Sequence, residues 1–299
     1  DGQGLGVQRL GQPLQQRRGV LRRLRQVADH GGDGRHLAAV PQVSGTDWDV
    51  GARLGYESNV NRSLDDAKSD TAFTAYGSYD RLPSGESRVD WTLKATLSGS
   101  VYASENDLNQ LTGFIAPGVS VFLNPVWSLN VSPFLRGKAV SDSEQSAVAY
   151  GVRATLSQRW NSRIYSGQYY AYTNSNADED IYSYYENAVG ILAGVNWTPA
   201  FFTEIGYEYA HGDSFVTSAT QITAASMPAR GRGYRYGYSP AFDALVIKDT
   251  VDRHSFSVNV GYDITKAIYA VSGYTYTRES GDLGSLDNNA VFAGLGYRF

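Results

Sequence analysis

Four histidines, His30, His36, His211 and His254, are the first residues to weigh for chemistry. His211 and His254 flank the segment 212–252, so a fold that closes that segment brings them together. With Asp252 and Ser255 beside it, His254 has the residue types of a hydrolase triad, and the two histidines those of a metal pair. Neither reading has the spacing that goes with it: no nucleophile motif surrounds Ser255, and no third ligand stands at a metal-binding interval. Gly231-Arg232-Gly233 lacks the following helix that a phosphate loop needs. The chain has no cysteine, which removes disulfides, thiol catalysis and thiolate metal sites. The expectation is a protein without catalytic residues, metal or cofactor.

The other residues with chemical capacity are charges on alternating segments. Arg88, Lys94, Arg136, Lys138, Arg153 and Arg159 form a basic block, and Glu186, Glu204, Glu208 and Asp263 an acidic one. Arg53 and Arg298 stand near the two ends of the same region. If the segments enclose a conduit, opposed walls of sign create a transverse field that orients dipolar solutes and discriminates ions. The alternative is a lumen whose charges pair across it and select nothing. Segment 212–252 adds A-R-G-R-G-Y-R-Y-G-Y over 229–238. It either folds inward, placing Arg230, Arg232 and Arg235 at a constriction, or stands as a surface loop. Tyr234, Tyr236 and Tyr238 favour folding inward, since their rings are poorly placed in open water.

These charges need a scaffold, and the periodicity predicts β-strands. Twelve runs alternate at period two: 47–57, 70–81, 88–103, 110–123, 127–139, 147–160, 163–173, 184–197, 200–211, 253–263, 267–278 and 288–299. Connections after even-numbered runs are tight, and those after odd-numbered runs are longer, with 212–252 the longest. An even number of strands with short turns at one end and long loops at the other is the layout of a transmembrane barrel. The composition agrees: 22 Tyr and 32 Gly against one Met suit pleated surfaces more than helical cores. No stretch approaches the ~20 apolar residues of a membrane helix.

Trp48, Trp91, Trp127, Trp160 and Trp197 all lie beside predicted short turns. Indoles at one level of a cylinder form an interfacial belt, where an apolar ring with a single N–H donor is satisfied. Alternation then sets the faces. Trp48, Val50, Ala52, Leu54 and Tyr56 point outward, with Asp49, Arg53 and Glu57 inward. In the third run Trp91, Leu93, Ala95 and Leu97 point outward, with Lys94 and several Ser and Thr inward. The runs at 163–173 and 267–278 are Tyr-rich on both faces, so periodicity leaves them unassigned.

Residues 1–46 differ. They hold seven Arg, no Lys, three acids and no aromatic residue, a net +4. The whole chain is −4, so 47–299 carry −8, which speaks against nucleic acid as a partner. Pro13 to His30 has a helical apolar stripe. The segment reads either as a plug helix or tether to a periplasmic partner, or as a disordered leader, or as residues outside the natural mature protein.

The runs G-Y-E-S-N-V-N-R-S (55–63), R-H-S-F-S-V-N-V-G-Y-D-I-T (253–265), G-Y-T-Y-T-R-E-S (273–280) and the final G-L-G-Y-R-F resemble β-barrel porins of Gram-negative outer membranes. The resemblance covers about 47–299. It implies an all-β fold, a twelve-stranded antiparallel transmembrane barrel with short periplasmic turns, longer extracellular loops and both termini periplasmic. It implies outer-membrane lipid and lipopolysaccharide as surroundings, and barrel-assembly machinery that reads the terminal Phe299, with Tyr297 beside it in the belt. Two functions follow as expectations: a passive channel for small polar solutes, or an export or translocation barrel with 1–46 in the lumen and a periplasmic or export partner. Solute, oligomeric state and pore radius are not written in the residues.

Overall fold

The computed structural model describes residues 45–83, 87–219, 236–239 and 241–299. The predicted leader helix over 13–30, and nearly all of 1–46, lie outside them. The strands are β1 (Gly45–Glu57), β2 (Asp70–Leu82), β3 (Val89–Tyr102), β4 (Gln110–Phe122), β5 (Trp127–Val140), β6 (Ala147–Arg159), β7 (Ile164–Ala177), β8 (Tyr184–Asn196), β9 (Phe201–Ser218), β10 (Tyr236–Ser239), β11 (Ala244–Asp263), β12 (Ile268–Gly281) and β13 (Gly284–Arg298). β10 is a short strand on the edge of β11. The other twelve pair antiparallel with their neighbours, β9 pairs with β11, and β13 returns to β1 with Asp49 opposite Arg298 and Glu57 opposite Ala290. The sheet is closed, so no wall strand presents an open edge to a hydrocarbon layer.

Most wall strands run 13 to 15 residues. At ~3.3 Å per residue and ~40° tilt they rise ~30 Å, enough for the ~25 Å apolar band of a membrane barrel. The side chains follow the predicted alternation. Leu54 and Leu97 are 59% and 58% exposed on the outside, while Asp49 and Lys94 are 7% exposed on the inside. Large exposed apolar residues recur on the outer face of every wall strand. An apolar surface of that extent is stable only against lipid. Among the described residues no helix is long and apolar enough to cross a membrane, a test that does not bear on strands.

The tight turns share one device. Asn124, Asn161, Thr198 and Thr265 each sit just after the strand, and the side-chain oxygen of each accepts hydrogen bonds from the backbone N–H groups two and three residues on. These are Asx and Ser/Thr turns, in which a short side chain satisfies the donors the turn leaves free. At the other end, loops after β3, β5 and β7 each form one 3-10 turn, at Asn106–Leu108, Ser143–Gln145 and Asp180–Tyr182. They stack: Asp142 N–H donates to the Asp107 carbonyl, and Glu179 N–H to that of Glu144.

Two predicted loops are corrected. The connection 279–287 is a two-residue hairpin, since β12 runs to Gly281 and pairs there with Gly284. The described residues of segment 212–252 are mostly strand: β9 continues to Ser218 and β11 begins at Ala244, with unbroken pairing from Tyr262–Phe201 to Leu245–Ser218. The β-branched run at 244–251 supplies the ladder that the loop reading missed.

Candidate functional site: the lumen and its covered mouth

The inner face carries Arg53 on β1, Lys94 on β3, Arg136 and Lys138 on β5, Arg153 and Arg159 on β6, Glu186 on β8, Glu204 and Glu208 on β9, Asp263 on β11 and Arg298 on β13. Arg88 is a correction: it lies exposed in the turn one residue before β3, because the strand starts at Val89. Arg230, Arg232 and Arg235 lie outside the described residues.

The acidic arc is not simply acidic. Arg253 on β11 sits between Glu186 at 2.5 Å and Glu208 at 3.3 Å. The Tyr169 hydroxyl also donates to Glu208, and the Arg153 guanidinium stacks 3.7 Å from the Tyr169 ring centre. One band therefore runs Arg153, Tyr169, Glu208, Arg253, Glu186 across β6 to β11. The Tyr169 ring lies where a Cβ on Gly190 would be, at 2.3 Å, and Tyr165 does the same over Gly194 at 2.1 Å. Glycine lets the rings lie flat on the wall and keeps them out of the lumen axis. Nearer the short turns, Tyr269 donates to Asp49 at 2.5 Å, Arg298 reaches Asp263 at 3.5 Å, and Lys94 lies 4.0 Å from Asp80. Arg136 donates to the Tyr184 hydroxyl at 2.5 Å. The inner surface is thus a mesh of compensated charge with hydrogen-bonding tyrosines. Arg253 and Tyr169 were missed from sequence. Parity alone places Arg253 on the face of Asp263, ten residues on; Tyr169 lay in the run left unassigned.

His30 and His36 lie outside the described residues, and His211 and His254 stay apart from this chemistry. His211 bonds Asp252 at 2.9 Å and His254 bonds Tyr207 at 2.8 Å, all four on the outer face. Ser255 is the next residue in β11, so it faces inward and bonds Thr277. His254 and Ser255 stand on opposite sides of the wall and cannot form a dyad. Among the described residues no group of three His, Cys, Asp or Glu could hold a metal.

Trp48, Trp91, Trp160 and Trp197 are more than half exposed, and Trp127 packs edge-on against Trp160 at 5.9 Å. All five sit at the short-turn end. The indole N–H of Trp160 donates to Ser166, and that of Trp197 to Thr203, six residues on in both cases. Tyr297 and Phe299 stand at the same end, exposed and in ring contact at 5.0 Å.

At the opposite end the mouth is covered. β9 stays paired with β8 only as far as Gly212, and β11 with β12 only as far as Val251. Beyond that level the two continue as a free ribbon. One buried cluster joins Phe215, Phe242, Ala244 and Val246 of the ribbon segment to Val60, Tyr102, Leu108 and Tyr182. Tyr102 belongs to β3, which is diametrically opposite β9 in a ring of twelve. The loop bearing Val60 is opposite the one bearing Tyr182. Side chains from both diameters meet only above the lumen, so the ribbon lies across it. Its other face packs Val216 and Ile247 against Leu286 near the β12–β13 turn. Partial burial there pushes the Asp249 carboxyl up, while the Leu283 and Thr250 N–H groups oppose the shift.

Fold and lumen define a closed twelve-strand β-barrel of the outer-membrane type. No family model matches the chain, and no curated protein matches it. Among solved structures it is similar to an outer membrane channel from Pseudomonas putida F1, with 9% identity and a TM-score of 0.57 over 90% of this chain and 99% of that one. It also aligns with the NanC porin, at 12% identity and a TM-score of 0.45 over 83% of this chain and 98% of that one. A third alignment is to the translocator domain of autotransporter NalP from Neisseria meningitidis, at 10% identity and a TM-score of 0.37 over 98% of each. At 9% identity the likeness to the Pseudomonas putida F1 channel speaks to the fold alone.

Proposed function

We propose that the protein is an outer-membrane channel for passive passage of small polar or charged solutes. The observation that carries this reading is the inversion of an ordinary domain: a closed wall that is apolar outside and charged inside. A wall of that kind separates lipid from a wet lumen. The short turns and the five Trp face the periplasm, with both termini, and the loops and ribbon face outward. Phe299 is the element that assembly machinery reads. The protein performs no bond chemistry; the lumen works by size and charge.

Selectivity resides in the arcs of β3, β5 and β6 against those of β8, β9 and β11. Arg253 holds the acidic arc near balance. The test is reversal potential across a salt gradient. Arg136→Ala and Glu204→Ala should shift it in opposite directions, and Arg253→Ala should shift it toward cations. Unchanged selectivity in all three contradicts the assignment. The export alternative rests on 1–46. Conductance that is blocked by 1–46 and appears on its removal favours export; conductance indifferent to 1–46 favours the porin.

A further inference from the structure

The run S-N-V-N-R-S (58–63), part of a stretch that carried a family resemblance, has no role in the lumen. The structure gives it one at the mouth. Asn59 and Asn61 brace the β1–β2 loop from within: Asn59 exchanges hydrogen bonds with the backbone of Ser63, and Asn61 bonds the backbone of Asp66 and Lys68. Between them Val60 is fully buried in the cluster over the mouth. The brace holds Arg62 in a left-handed backbone conformation, φ 53°. Its side chain, buried, then reaches the ribbon. Arg62 Nε donates to the Phe215 carbonyl at 2.9 Å, its Nη2 bonds Ser214, and the same atom pairs with the buried Glu279 of β12. The backbones also join: Thr217 N–H donates to the Arg62 carbonyl at 3.0 Å and Leu64 N–H to the Thr217 carbonyl at 3.1 Å. Asp65 accepts from Ser218 and Ala219.

We propose that the ribbon of β9 and β11 is a gate, and that the β1–β2 loop is its catch. The proposal rests on the channel reading, since a conduit covered at one end conducts only if the cover moves. The ribbon is built to move as one piece. β9 and β11 stay paired after leaving the wall, with the short β10 on the edge of β11, and the departure falls at Gly212, where a Cβ would stand 2.1 Å from the Tyr185 carbonyl oxygen. Its polar docking contacts concentrate on one loop, where Arg62 and Leu64 bond Ser214, Phe215 and Thr217, while the buried Arg62–Glu279 pair ties that loop to β12 and keeps the catch with the wall. Hinged closure of a rigid element against a polar catch is an established way to make a two-state gate.

The cysteine-free chain permits a clean test. Ser63 and Thr217 are bridge partners, so Ser63→Cys/Thr217→Cys should cross-link on oxidation. The full chain in lipid vesicles is followed by amide hydrogen exchange and by current. In the reduced form, amides of 214–218 and 245–249 should exchange at least about tenfold faster than those of 204–210 and 253–260 in the same two strands, which probe the wall. Oxidation should slow the ribbon amides to the wall rate and abolish current. Arg62→Ala should speed the ribbon alone. Ribbon amides as slow as the wall in the reduced protein, equal current in both redox forms, or no cross-link on oxidation would each overturn the gate. A fast ribbon that the cross-link slows, without current in any form, supports the moving ribbon and defeats the channel.

Discussion

At the residue scale, the lumen is controlled by pairs rather than by single charges. Arg253 shows this most directly, because it touches Glu186 and Glu208 together. Arg253→Ala leaves two enclosed carboxylates facing each other. Breaking a buried pair costs roughly 3–5 kcal/mol, and a lumen exposed to water reduces that figure. Arg253→Ala should therefore lower the urea midpoint of the refolded barrel, while Arg253→Ala/Glu208→Ala recovers part of the loss. A double variant no more stable than the single one contradicts the pairing. Gly190 makes a second residue-scale case. Gly190→Ala places a methyl within 2.3 Å of the Tyr169 ring, and overpacking of this kind costs about 1–3 kcal/mol. Gly190→Ala/Tyr169→Ala should be closer to wild type than Gly190→Ala alone, read by the same urea titration.

At the element scale, strands and turns were legible and their extensions were not. Period-two runs locate every wall strand to within a few residues because the side chains meet two different solvents. The turn residues Asn124, Asn161, Thr198 and Thr265 were equally visible, as short polar residues between strands. The ribbon was not found, since beyond Gly212 both faces of β9 pack protein and Phe215, Val216, Thr217 and Ser218 are all buried. Alternation disappears when both faces meet the same environment. The same reason hides the catch: Arg62 reads as a surface charge in a polar loop until the ribbon is placed over it. At this scale the turn device predicts that Asn161→Ala removes two bonds to exposed N–H groups and costs about 1 kcal/mol. A shift of that size in urea midpoint is expected, with conductance unaltered; no shift would assign the turn to backbone geometry alone.

At the scale of the whole molecule, the barrel is an inverted protein whose outside is its apolar phase. The inversion predicts an asymmetry between faces. Leu54→Arg or Val131→Arg, on the outer face, should destabilise the membrane-folded state by about 2–4 kcal/mol at mid-bilayer depth. A charge introduced at the inward Thr96 should cost much less. Equal penalties on the two faces would mean that the outer surface does not meet lipid. The sequence fell short at this scale for a physical reason: strand patterns specify a closed wall, but a mouth closed by residues from four separate connections is a tertiary event with no local signature.

Planar-bilayer recording of the full chain beside Arg62→Ala tests the central claim most directly. The wild-type protein should be closed most of the time, with brief openings, and the variant's open fraction should rise at least about tenfold, the effect of ~1.4 kcal/mol lost from the catch. Ion current absent from both proteins, each inserted as a folded barrel, would contradict it.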